Sequence, residues 1–598
     1  MNADTYTAPI ADMRFVLTHL VDLHRVLDLP GLRDCSADVV DAVLQQAGRF
    51  ASEVFAPLNV VGDRIGAQLD KHRVRMPPGF REAYRKYIDA GWCSLSVETE
   101  HGGQGLPRVV SSAVGEMWKS ANLAFSANLM LTTGAMEALI AHASTDQLKR
   151  YLPRMLTGEW TGAMNLTEPQ AGSDLSVIRT RAVPQADGKY RLHGQKCFIT
   201  YADHDMADNV VHLVLARLPD APAGVKGISL FLLANRQVQA DGSLGPQNDV
   251  KVLALEKKLG QHASPTCVLM HGESEGALGE LVGAPGAGLT CMFVMMNDAR
   301  LQVALEGVGV GERAYQHALA YARLRVQGRA AGTAAPAAIA QHPDVRRMLM
   351  WMKAQNEAMR AVAYVAASWL DIAKRDPSTE QRREYQDRVD LMIPVLKGWM
   401  TETGAEVACL GIQIHGGAGF VEETGAAQFY RDVRASSIYE GTTGIQASDL
   451  IGRKLGRTPG PEAIRGLLRE MRATAQELAN PRGADIVAVR GSLLSVIEAL
   501  SSSTEAIIAC AADEPQGVLA VSVPFLKLVG IAMGAWQMAR AAGVAERLLS
   551  SGEGDSSFLR EKIATARFYA EHISPQAGAL AVTVEAGRSS PLAIDFCA

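Results

Sequence analysis

The stretch NLTEPQAGSD, from Asn165 to Asp174, lies where the residue pattern of this 598-residue chain changes. Before it, apolar residues recur at three- and four-residue spacing, which predicts that roughly the first 160 residues are helical. After it come short β-rich runs separated by Gly, Pro, Asp and Asn, namely GKYRLHGQKCFIT, DNVVHLVLARL, GISLFLLA and PTCVLMHG. The stretch therefore marks the change from a helical block to a block of antiparallel strands.

Helical periodicity returns beyond the strands. A long helix is predicted from Leu289 to a stop at Gly328, followed by an Ala-rich loop over Ala330 to Ala340. Two more long helices are predicted within HPDVRRMLMWMKAQNEAMRAVAYVAASWL and LMIPVLKGWMTETGAEVACLGIQIH, and a further helical region follows Gly456. This segregation indicates an α+β fold and argues against a βαβ nucleotide fold. The chain has neither GxGxxG after a strand nor GxxxxGK[ST].

The chain length predicts three or four domains at about 100–200 residues each. We predict an N-terminal extension (1–38), an N-terminal helical domain (39–161), a middle β domain (162–283), a C-terminal helical domain (284–456) and an additional helical domain (457–598).

The composition narrows the possible partners and the compartment. The net charge is -5 without a basic block, so neither nucleic acid nor an anionic membrane is expected as a partner. The eight cysteines form no CxxC pair, which indicates free thiols in a reducing compartment. The N-terminus lacks the pattern of a signal peptide, and a cytoplasmic location is expected. The apolar stretch from Gly517 to Ala539 contains Pro524 and Lys527, so it favours a buried or oligomer-facing helix over weak membrane contact.

Two motifs near the first strands could bind a nucleotide. In NLTEPQAGSD, Gly172 and Ser173 allow close backbone approach to a phosphate, although a solvated turn is the simpler interpretation. In GQKCFIT, from Gly194 to Thr200, Phe198 and Thr200 are predicted to lie on one face of a strand. They could receive a flat heterocycle, or the strand could simply be amphipathic.

Two further motifs follow long helices. Arg325, in YARLRVQGR, lies near a predicted helix C-terminus, where a cation could interact with the helix dipole or with a pyrophosphate. In QIHGGAGF, from Gln413 to Phe420, the glycines could end the helix or expose the backbone to a nucleotide.

The stretch SSIYEGTTGIQ, from Ser436 to Gln446, contains one carboxylate, Glu440. It could form a loop salt bridge with the basic residues that precede it. Alternatively, the glycines at 441 and 444 could let backbone N–H groups approach a ligand carbonyl, with Glu440 as a base for an acidic C–H.

Taken in this order and at these separations, the motifs resemble those of the acyl-CoA dehydrogenase family over roughly Val39 to Leu455. The outer segments resemble a long bacterial branch that includes 3-(methylthio)propanoyl-CoA dehydrogenases and fatty acyl-CoA dehydrogenases. The resemblance implies an N-terminal helical domain, a middle antiparallel β domain, a C-terminal domain like a four-helix bundle, and an extra C-terminal helical domain.

The resemblance also implies roles for individual residues. Glu440 matches the catalytic base, which removes an α-proton from the acyl thioester while the β-hydrogen leaves as hydride to N5 of FAD. FAD contacts are implied for Leu166, Thr167, Gly172, Ser173, Phe198, Ile199, Thr200, Arg325, Gln413, Gly417 and Thr442. Substrate contacts are implied for Asn297, Arg300, Tyr439 and Gly441, and no metal is expected. Because Arg325, Gln413 and Gly417 match residues that reach the FAD of a neighbouring subunit, a homodimer is expected.

The chain departs from the family pattern at several places, one of which is Gly444, where many relatives have a polar residue that contacts FAD. The usual Arg-x-x-Phe-Gly is shortened to Arg325-Val326-Gln327-Gly328, without the Phe. Some relatives carry the base immediately before the arginine on the preceding helix, where this chain has Ala299. Glu440 is therefore the candidate, and the rival, Glu306, is expected to pair with a neighbouring arginine.

The implied reaction is dehydrogenation of a saturated acyl-CoA to trans-2-enoyl-CoA, as in fatty acid β-oxidation, with electrons passing to an electron-transfer flavoprotein. The alternatives are the same chemistry on 3-(methylthio)propanoyl-CoA, an acyl-CoA oxidase, and a non-catalytic DNA-associated relative. The net charge of -5 weighs against the last.

Overall fold

The structure, a computed structural model, describes residues 6–332, 335–456, 459–480 and 483–597. It divides into two compact units. The mixed unit consists of Phe50–Leu106 and Ala121–Gln302, and the helical unit consists of Met1–Arg49, Pro107–Ser120 and Val303–Ala598. Each unit is built from segments far apart in sequence.

The helices of the mixed unit lie before and after most of its strands in the sequence. They are α4 (Leu58–Ile65), α5 (Phe80–Asp89), α7 (Leu123–His142), α8 (Thr145–Leu156) and the first part of α9 (Gly288–Leu324), with a π-helix at Ala51–Phe55. Local chemistry sets the helix starts. Asn122 caps α7, and Ser144 forms a capping box with Gln147 at the start of α8.

The strands of the mixed unit form one eight-stranded sheet and two small hairpins. They are β1 (Gln68–Asp70), β2 (Arg73–Arg75), β3 (Trp160–Asn165), β4 (Arg181–Pro184), β5 (Tyr190–Thr200), β6 (Asn209–Arg217), β7 (Ile228–Ala234), β8 (Arg236–Val238), β9 (Leu244–Gln247), β10 (Val250–Leu255), β11 (Thr266–His271) and β12 (Ala277–Val282). The sheet order is β10-β11-β5-β12-β7-β6-β3, and β4 pairs with β5 and β6. Leu192, Val214, Phe231 and Leu269 lie in the buried cluster on this sheet.

The helical unit begins with short helices and continues with long ones. It comprises α1 (Ile10–Phe15), α2 (Leu23–Leu27), α3 (Ala37–Phe50), α6 (Arg108–Ala121), the rest of α9, α10 (Pro343–Arg375), α11 (Thr379–His415), α12 (Ala426–Val433), α13 (Thr443–Asp449), α14 (Gly460–Glu477), α15 (Ala484–Cys510), α16 (Pro515–Ala520), α17 (Ser522–Ser551), α18 (Ser556–His572) and α19 (Gln576–Ala586). A hairpin of β13 (Val326–Arg329) and β14 (Pro336–Ala338) follows α9.

The structure confirms the α+β class and the helical region after Gly456. The stretch from Gly517 to Ala539 falls largely in α17, whose side chains are mostly buried, as predicted. All eight cysteines are free thiols, which also agrees with the prediction. The predicted domain boundary at residue 457 lies outside the described residues.

Three predictions about elements are wrong. The hairpin of β1 and β2 lies in a stretch predicted to be helical, and its turn contains Lys71 in the left-handed region instead of an Asn-Gly signal. The middle domain is not wholly antiparallel, because β3 pairs in parallel with β6 and both are almost entirely buried. Helix α9 ends at Leu324, not Gly328, because the chain turns into the β13–β14 hairpin, which also replaces part of the predicted Ala-rich loop.

Two helices among the described residues are long and apolar enough to cross a membrane, by length and composition alone. In α7 83% of the apolar window is buried inside the protein, and in α15 44% is buried. Burial in the core accounts for the apolar character of α7.

Candidate functional site

The loop after β3 is organised around one buried carboxylate, Glu168. This carboxylate accepts hydrogen bonds from the backbone N–H groups of Arg179 and Thr180 at 2.6 and 3.0 Å, and from the Thr180 hydroxyl at 2.6 Å. A backbone bridge between Glu168 and Ala171 closes the turn. These bonds fix the path of the chain between Leu166 and Thr180.

A buried lysine of β5, Lys196, completes this arrangement. Its ammonium donates to Glu168 Oε1 at 2.9 Å and to the Leu166 carbonyl at 2.8 Å. Burial alone would raise the pKa of Glu168, but the charge of Lys196 and the hydrogen bonds from Thr180 and Arg179 lower it to about 2. Glu168 is therefore ionised, and the pair ties the loop after β3 to the strand that carries Phe198.

Strand β5 contains a β-bulge opposite β11, between Lys196 and Ile199. Phe198 lies in the bulge with φ +58 and is 62% exposed, whereas Cys197 and Ile199 are buried. Thr200 is half-buried. The backbone N–H of Cys197 donates to the Thr167 carbonyl at 3.0 Å, which brings Thr167 next to this segment.

These residues of the mixed unit fit a flavin nucleotide. The exposed Phe198 ring can pack against a flat heterocycle, and the half-buried Thr200, two residues further along β5, carries a hydroxyl that can form hydrogen bonds. Gly172 and Ser173 are exposed, and a Cβ at Gly172 would meet no atom within 4 Å, so phosphate oxygens can approach the backbone there. Hydrogen bonds from Lys196 and Cys197 place Leu166 and Thr167 next to the segment that carries Phe198, Ile199 and Thr200.

The helical unit contains the loop from Ser436 to Gln446. Glu440 is half-buried and has a left-handed backbone with φ +55, and Gly441 follows with φ +90. The Gln446 side chain donates to the Glu440 carbonyl at 2.9 Å, and Lys397 of α11 donates to the Gly441 carbonyl at 2.7 Å. Thr442 begins α13 by accepting a hydrogen bond from the Ile445 N–H. The backbone around Glu440 is therefore held from both sides.

Glu306 of α9 also faces this loop. The prediction that Glu306 pairs with a neighbouring arginine is wrong. Its carboxylate instead accepts hydrogen bonds from the hydroxyls of Ser436 and Tyr439. The charges of Lys119 and Lys397 also act on it. The Tyr439 hydroxyl, which belongs to a residue predicted to contact substrate, is thus engaged by Glu306.

Arg325, Gln413 and Gly417 are all exposed on the helical unit. The segments that carry them are joined by stacked rings. His415 of α11 stacks on Tyr321 of α9 at 4.3 Å between ring centroids, and His317 stacks on His415 at 4.7 Å.

The two predicted substrate residues on α9 differ in exposure. Asn297 is exposed, whereas Arg300 is buried. No group of three potential metal ligands occurs among the described residues.

Four residues that hold the two loops were not predicted from the sequence, namely Glu168, Lys196, Lys397 and Glu402. Glu402 accepts a hydrogen bond from the Thr443 hydroxyl at 2.7 Å. The available signal was a charged residue inside an apolar segment, as with Lys196 in β5 and Lys397 in α11. Such residues are seldom fully buried unless they are paired.

Family models match four consecutive parts of the chain. The acyl-CoA dehydrogenase N-terminal domain matches residues 40–159, the middle domain 163–271 and the C-terminal domain 286–455. A model described as acetyl-CoA dehydrogenase C-terminal like matches residues 467–595.

The chain is similar to several characterised proteins over nearly its whole length. It is 46% identical to 3-methylmercaptopropionyl-CoA dehydrogenase of Ruegeria pomeroyi, over 95% of this chain and 96% of that protein. It is 32% identical to a butyryl-CoA dehydrogenase of Syntrophomonas wolfei, over 96% of each chain. A broad-specificity linear acyl-CoA dehydrogenase of Mycobacterium tuberculosis is also 32% identical, over 95% of this chain and 96% of that protein.

Solved structures share the fold across the whole chain. Caenorhabditis elegans ACDH-11 in complex with C11-CoA has a TM-score of 0.75 at 20% identity, over 99% of this chain and 96% of that one. An acyl-CoA dehydrogenase from Bacillus anthracis complexed with FAD has a TM-score of 0.71 at 21% identity, over 94% and 90%.

Proposed function

The chain belongs to the acyl-CoA dehydrogenase family of FAD-dependent oxidoreductases, and from this premise we propose that it dehydrogenates a saturated acyl-CoA to trans-2-enoyl-CoA with Glu440 as base. The observation that carries the assignment of the base is the left-handed Glu440, held by Gln446 and followed by a residue held by Lys397. A non-glycine residue in this conformation is strained, and such strain concentrates at functional sites.

The reaction removes two hydrogen atoms from the substrate, one as a proton and one as a hydride that carries both electrons. The Glu440 carboxylate takes the α-hydrogen as a proton, and the β-hydrogen leaves as hydride while the Cα–Cβ double bond forms. Bound FAD supplies the hydride acceptor at N5. The backbone N–H of Glu440 would support the thioester carbonyl as negative charge develops.

The residues proposed to bind FAD are those assigned from the sequence. In the mixed unit, the Glu168–Lys196 pair holds the loop whose Leu166 and Thr167 would contact the ring, and Phe198 and Thr200 would contact its face and edge. In the helical unit, the exposed Arg325, Gln413 and Gly417 would bind FAD of a second subunit in a homodimer, and Thr442 would add a further contact.

Replacement of Glu440 by Gln tests the assignment of the base. The variant should keep FAD and its fold, while turnover falls by about 100- to 10,000-fold, since the amide cannot accept the α-proton. Glu406→Gln is a matched control, because Glu406 is a partly exposed carboxylate of α11 paired with Lys527, and it should keep wild-type turnover. Near-normal turnover of the Glu440 variant would rule out the assignment.

We propose 3-(methylthio)propanoyl-CoA as the preferred substrate, with linear saturated acyl-CoAs as the alternative. The 46% identity to a 3-methylmercaptopropionyl-CoA dehydrogenase supports the thioether substrate, while relatives at 32% identity that act on butyryl-CoA or linear acyl-CoAs support the alternative. Anaerobic mixing with short thioether and linear acyl-CoAs, followed by flavin absorption, separates them. Faster bleaching by a linear acyl-CoA would reverse the preference.

We further propose a cytoplasmic homodimer that passes electrons to an electron-transfer flavoprotein within fatty acid and related lipid catabolism. Light scattering should show a dimer, and reduced enzyme should be reoxidised faster by the electron-transfer flavoprotein than by oxygen. Rapid release of hydrogen peroxide would instead indicate an acyl-CoA oxidase.

A flotation assay with anionic vesicles tests weak membrane contact through the C-terminal helices.

A further inference from the structure

Glu306 is a buried carboxylate in direct contact with the segment that leads to Glu440. Its side chain is 1% exposed, and its Oε2 atom accepts both the Ser436 hydroxyl, at 2.5 Å, and the Tyr439 hydroxyl. Ser436 and Tyr439 are four residues and one residue before the proposed base. A single oxygen of α9 therefore holds two points of the loop.

The position of Glu306 is fixed by close helix crossings on both sides. A Cβ at Gly307 would lie 2.1 Å from the Met400 carbonyl oxygen of α11. A Cβ at Gly309 would lie 2.9 Å from the backbone nitrogen of Ser120 in α6. Because the helix backbones approach each other closely at these glycines, α9 packs tightly against α6 and α11 directly after Glu306.

The surroundings of Glu306 link it to the other side of Glu440. Burial raises the pKa of Glu306, while the two hydroxyls and the charges of Lys119 and Lys397 act in the opposite direction. Lys397 is the same residue that donates to the Gly441 carbonyl. The Glu306–Lys397 group therefore contacts the residue before Glu440 and the residue after it.

The arrangement differs from the purely structural buried carboxylates of the same unit. Glu116 and Glu312 both pair with Arg360, whose guanidinium compensates their charge. Glu306 has hydroxyl donors instead, and both donors belong to the loop of the proposed base. Stabilising the fold alone would not require both donors to come from that loop.

We propose that Glu306 is a positioning residue for catalysis, acting through Tyr439 to hold Glu440 where it can remove the α-proton. This inference rests on the proposed function of Glu440. The hydrogen bonds of Glu306 and Lys397 oppose relaxation of the left-handed backbone at Glu440, so losing them displaces the carboxylate without removing it.

The test uses full-length enzyme loaded with FAD and the variants Glu306→Gln, Tyr439→Phe and the double variant. The readouts are kcat, KM, FAD content and thermal midpoint. A further readout is exchange of the α-hydrogens of acetyl-CoA in D2O. Acetyl-CoA has no β-carbon, so its exchange reports proton removal without hydride transfer. Tyr364→Phe is the matched control, because the Tyr364 hydroxyl donates to the buried Glu116 of the same unit.

Each single variant should lower kcat and the exchange rate by about 10- to 100-fold, as expected when a catalytic group is displaced by about 1 Å. KM of Glu306→Gln should change by less than about threefold, because Glu306 is not among the residues assigned to the substrate. The double variant should be no slower than the slower single variant, since both changes break the same contact. Tyr364→Phe should keep kcat. Unchanged kcat in both singles, multiplicative losses in the double variant, or an equal loss in Tyr364→Phe would overturn the proposal.

The outcome is distinguishable from failure of the proposed function. If Glu440→Gln keeps turnover and exchange, the base itself is wrongly assigned. If Glu440→Gln loses both activities while Glu306→Gln and Tyr439→Phe keep them, only the positioning role fails. Should Glu306→Gln not fold, Ser436→Ala and Tyr439→Phe decide the question, because each removes one loop donor and leaves the carboxylate in place.

Discussion

At the scale of single residues, backbone strain coincides with the proposed chemistry. Among the described residues six non-glycine residues have positive φ, and two of them, Phe198 and Glu440, are assigned to the flavin and to the base. Each lies beside a hydrogen bond that fixes the local backbone. Cys197 bonds to Thr167 beside the first, and Gln446 bonds to the second.

Gly441 should be intolerant of a side chain. Its φ is +90, and a Cβ would lie 2.6 Å from Gln446 Nε2, the atom that holds the Glu440 carbonyl. Gly441→Ala should therefore displace this contact and lower kcat by about 10- to 100-fold while FAD content stays constant. Gly452→Ala is the control, because a Cβ there meets no atom within 4 Å. Equal kcat in the two variants would contradict the expectation.

The ionised carboxylate of Glu168 should make the stability of the protein depend on pH. Its folded-state pKa, about 2, lies below the unfolded value of about 4.3, so its ionisation stabilises the fold above about pH 4.3. This contribution is lost as pH falls from about 4.3 towards 2. Glu168→Gln should lower the thermal midpoint at pH 6, and the difference from wild type should shrink as pH is lowered through 4. A constant difference would show that ionisation of Glu168 is not the cause.

Short sequence motifs predict some residues of a site and leave out others. The motifs identify Phe198, Thr200 and Glu440 as candidate residues, because a short pattern contains their chemistry, and their roles stay predictions. The partners Glu168 and Glu306 were not predicted correctly, since each contacts residues distant in sequence, such as Lys196 and Tyr439. A regular strand would place Lys196 and Phe198 on one face, and only pairing with β11 creates the bulge that buries Lys196 and exposes Phe198.

At the scale of elements, helical periodicity predicted the long helices well and their ends poorly. Gly328 has the positive φ expected of a helix-ending glycine, yet it lies in the β13–β14 hairpin, four residues after α9 has ended. The same ambiguity applies to β3, whose six consecutive buried residues give no indication of strand direction. Local patterns specify an element type, whereas its limits and partners depend on tertiary contacts.

Helix α17 provides a prediction at this scale, because glycines allow it to pack closely. A Cβ at Gly530 would lie 2.3 Å from the Trp399 ring of α11. Gly530→Ala should cost about 1–3 kcal/mol of stability through overpacking. Gly491→Ala, in α15, meets no atom within 4 Å and should stabilise the protein by about 0.5–1 kcal/mol through helix propensity. Urea unfolding measures both, and destabilisation by both variants would contradict this account of the packing.

At the scale of the molecule, buried charges join segments that are far apart in the sequence. Arg360 of α10 pairs with Asp12 of α1, Glu116 of α6 and Glu312 of α9. Lys562, in the additional helical region, pairs with the same Asp12 and with Glu357. The region after Gly456 is thus bonded to the N-terminal extension within one helical unit. No periodicity could predict this pairing, because it depends on the arrangement of five helices.

The stability of the helical unit should depend strongly on Arg360, the cation at the centre of this cluster. Arg360→Met leaves three buried carboxylates without their common partner and should cost about 3–5 kcal/mol, measured by urea unfolding with tryptophan fluorescence. Arg567→Met is the control, because Arg567 pairs with Asp485 and Glu571 where all three side chains are 45% exposed. It should cost at most about 1 kcal/mol. The loss of stability in Lys562→Met should lie between the losses in the other two variants. This variant removes the ion pair between α18 and Asp12, through which the cluster would help to dock the C-terminal helices. An Arg360 variant as stable as the Arg567 variant would show that hydrophobic contacts alone hold these segments together.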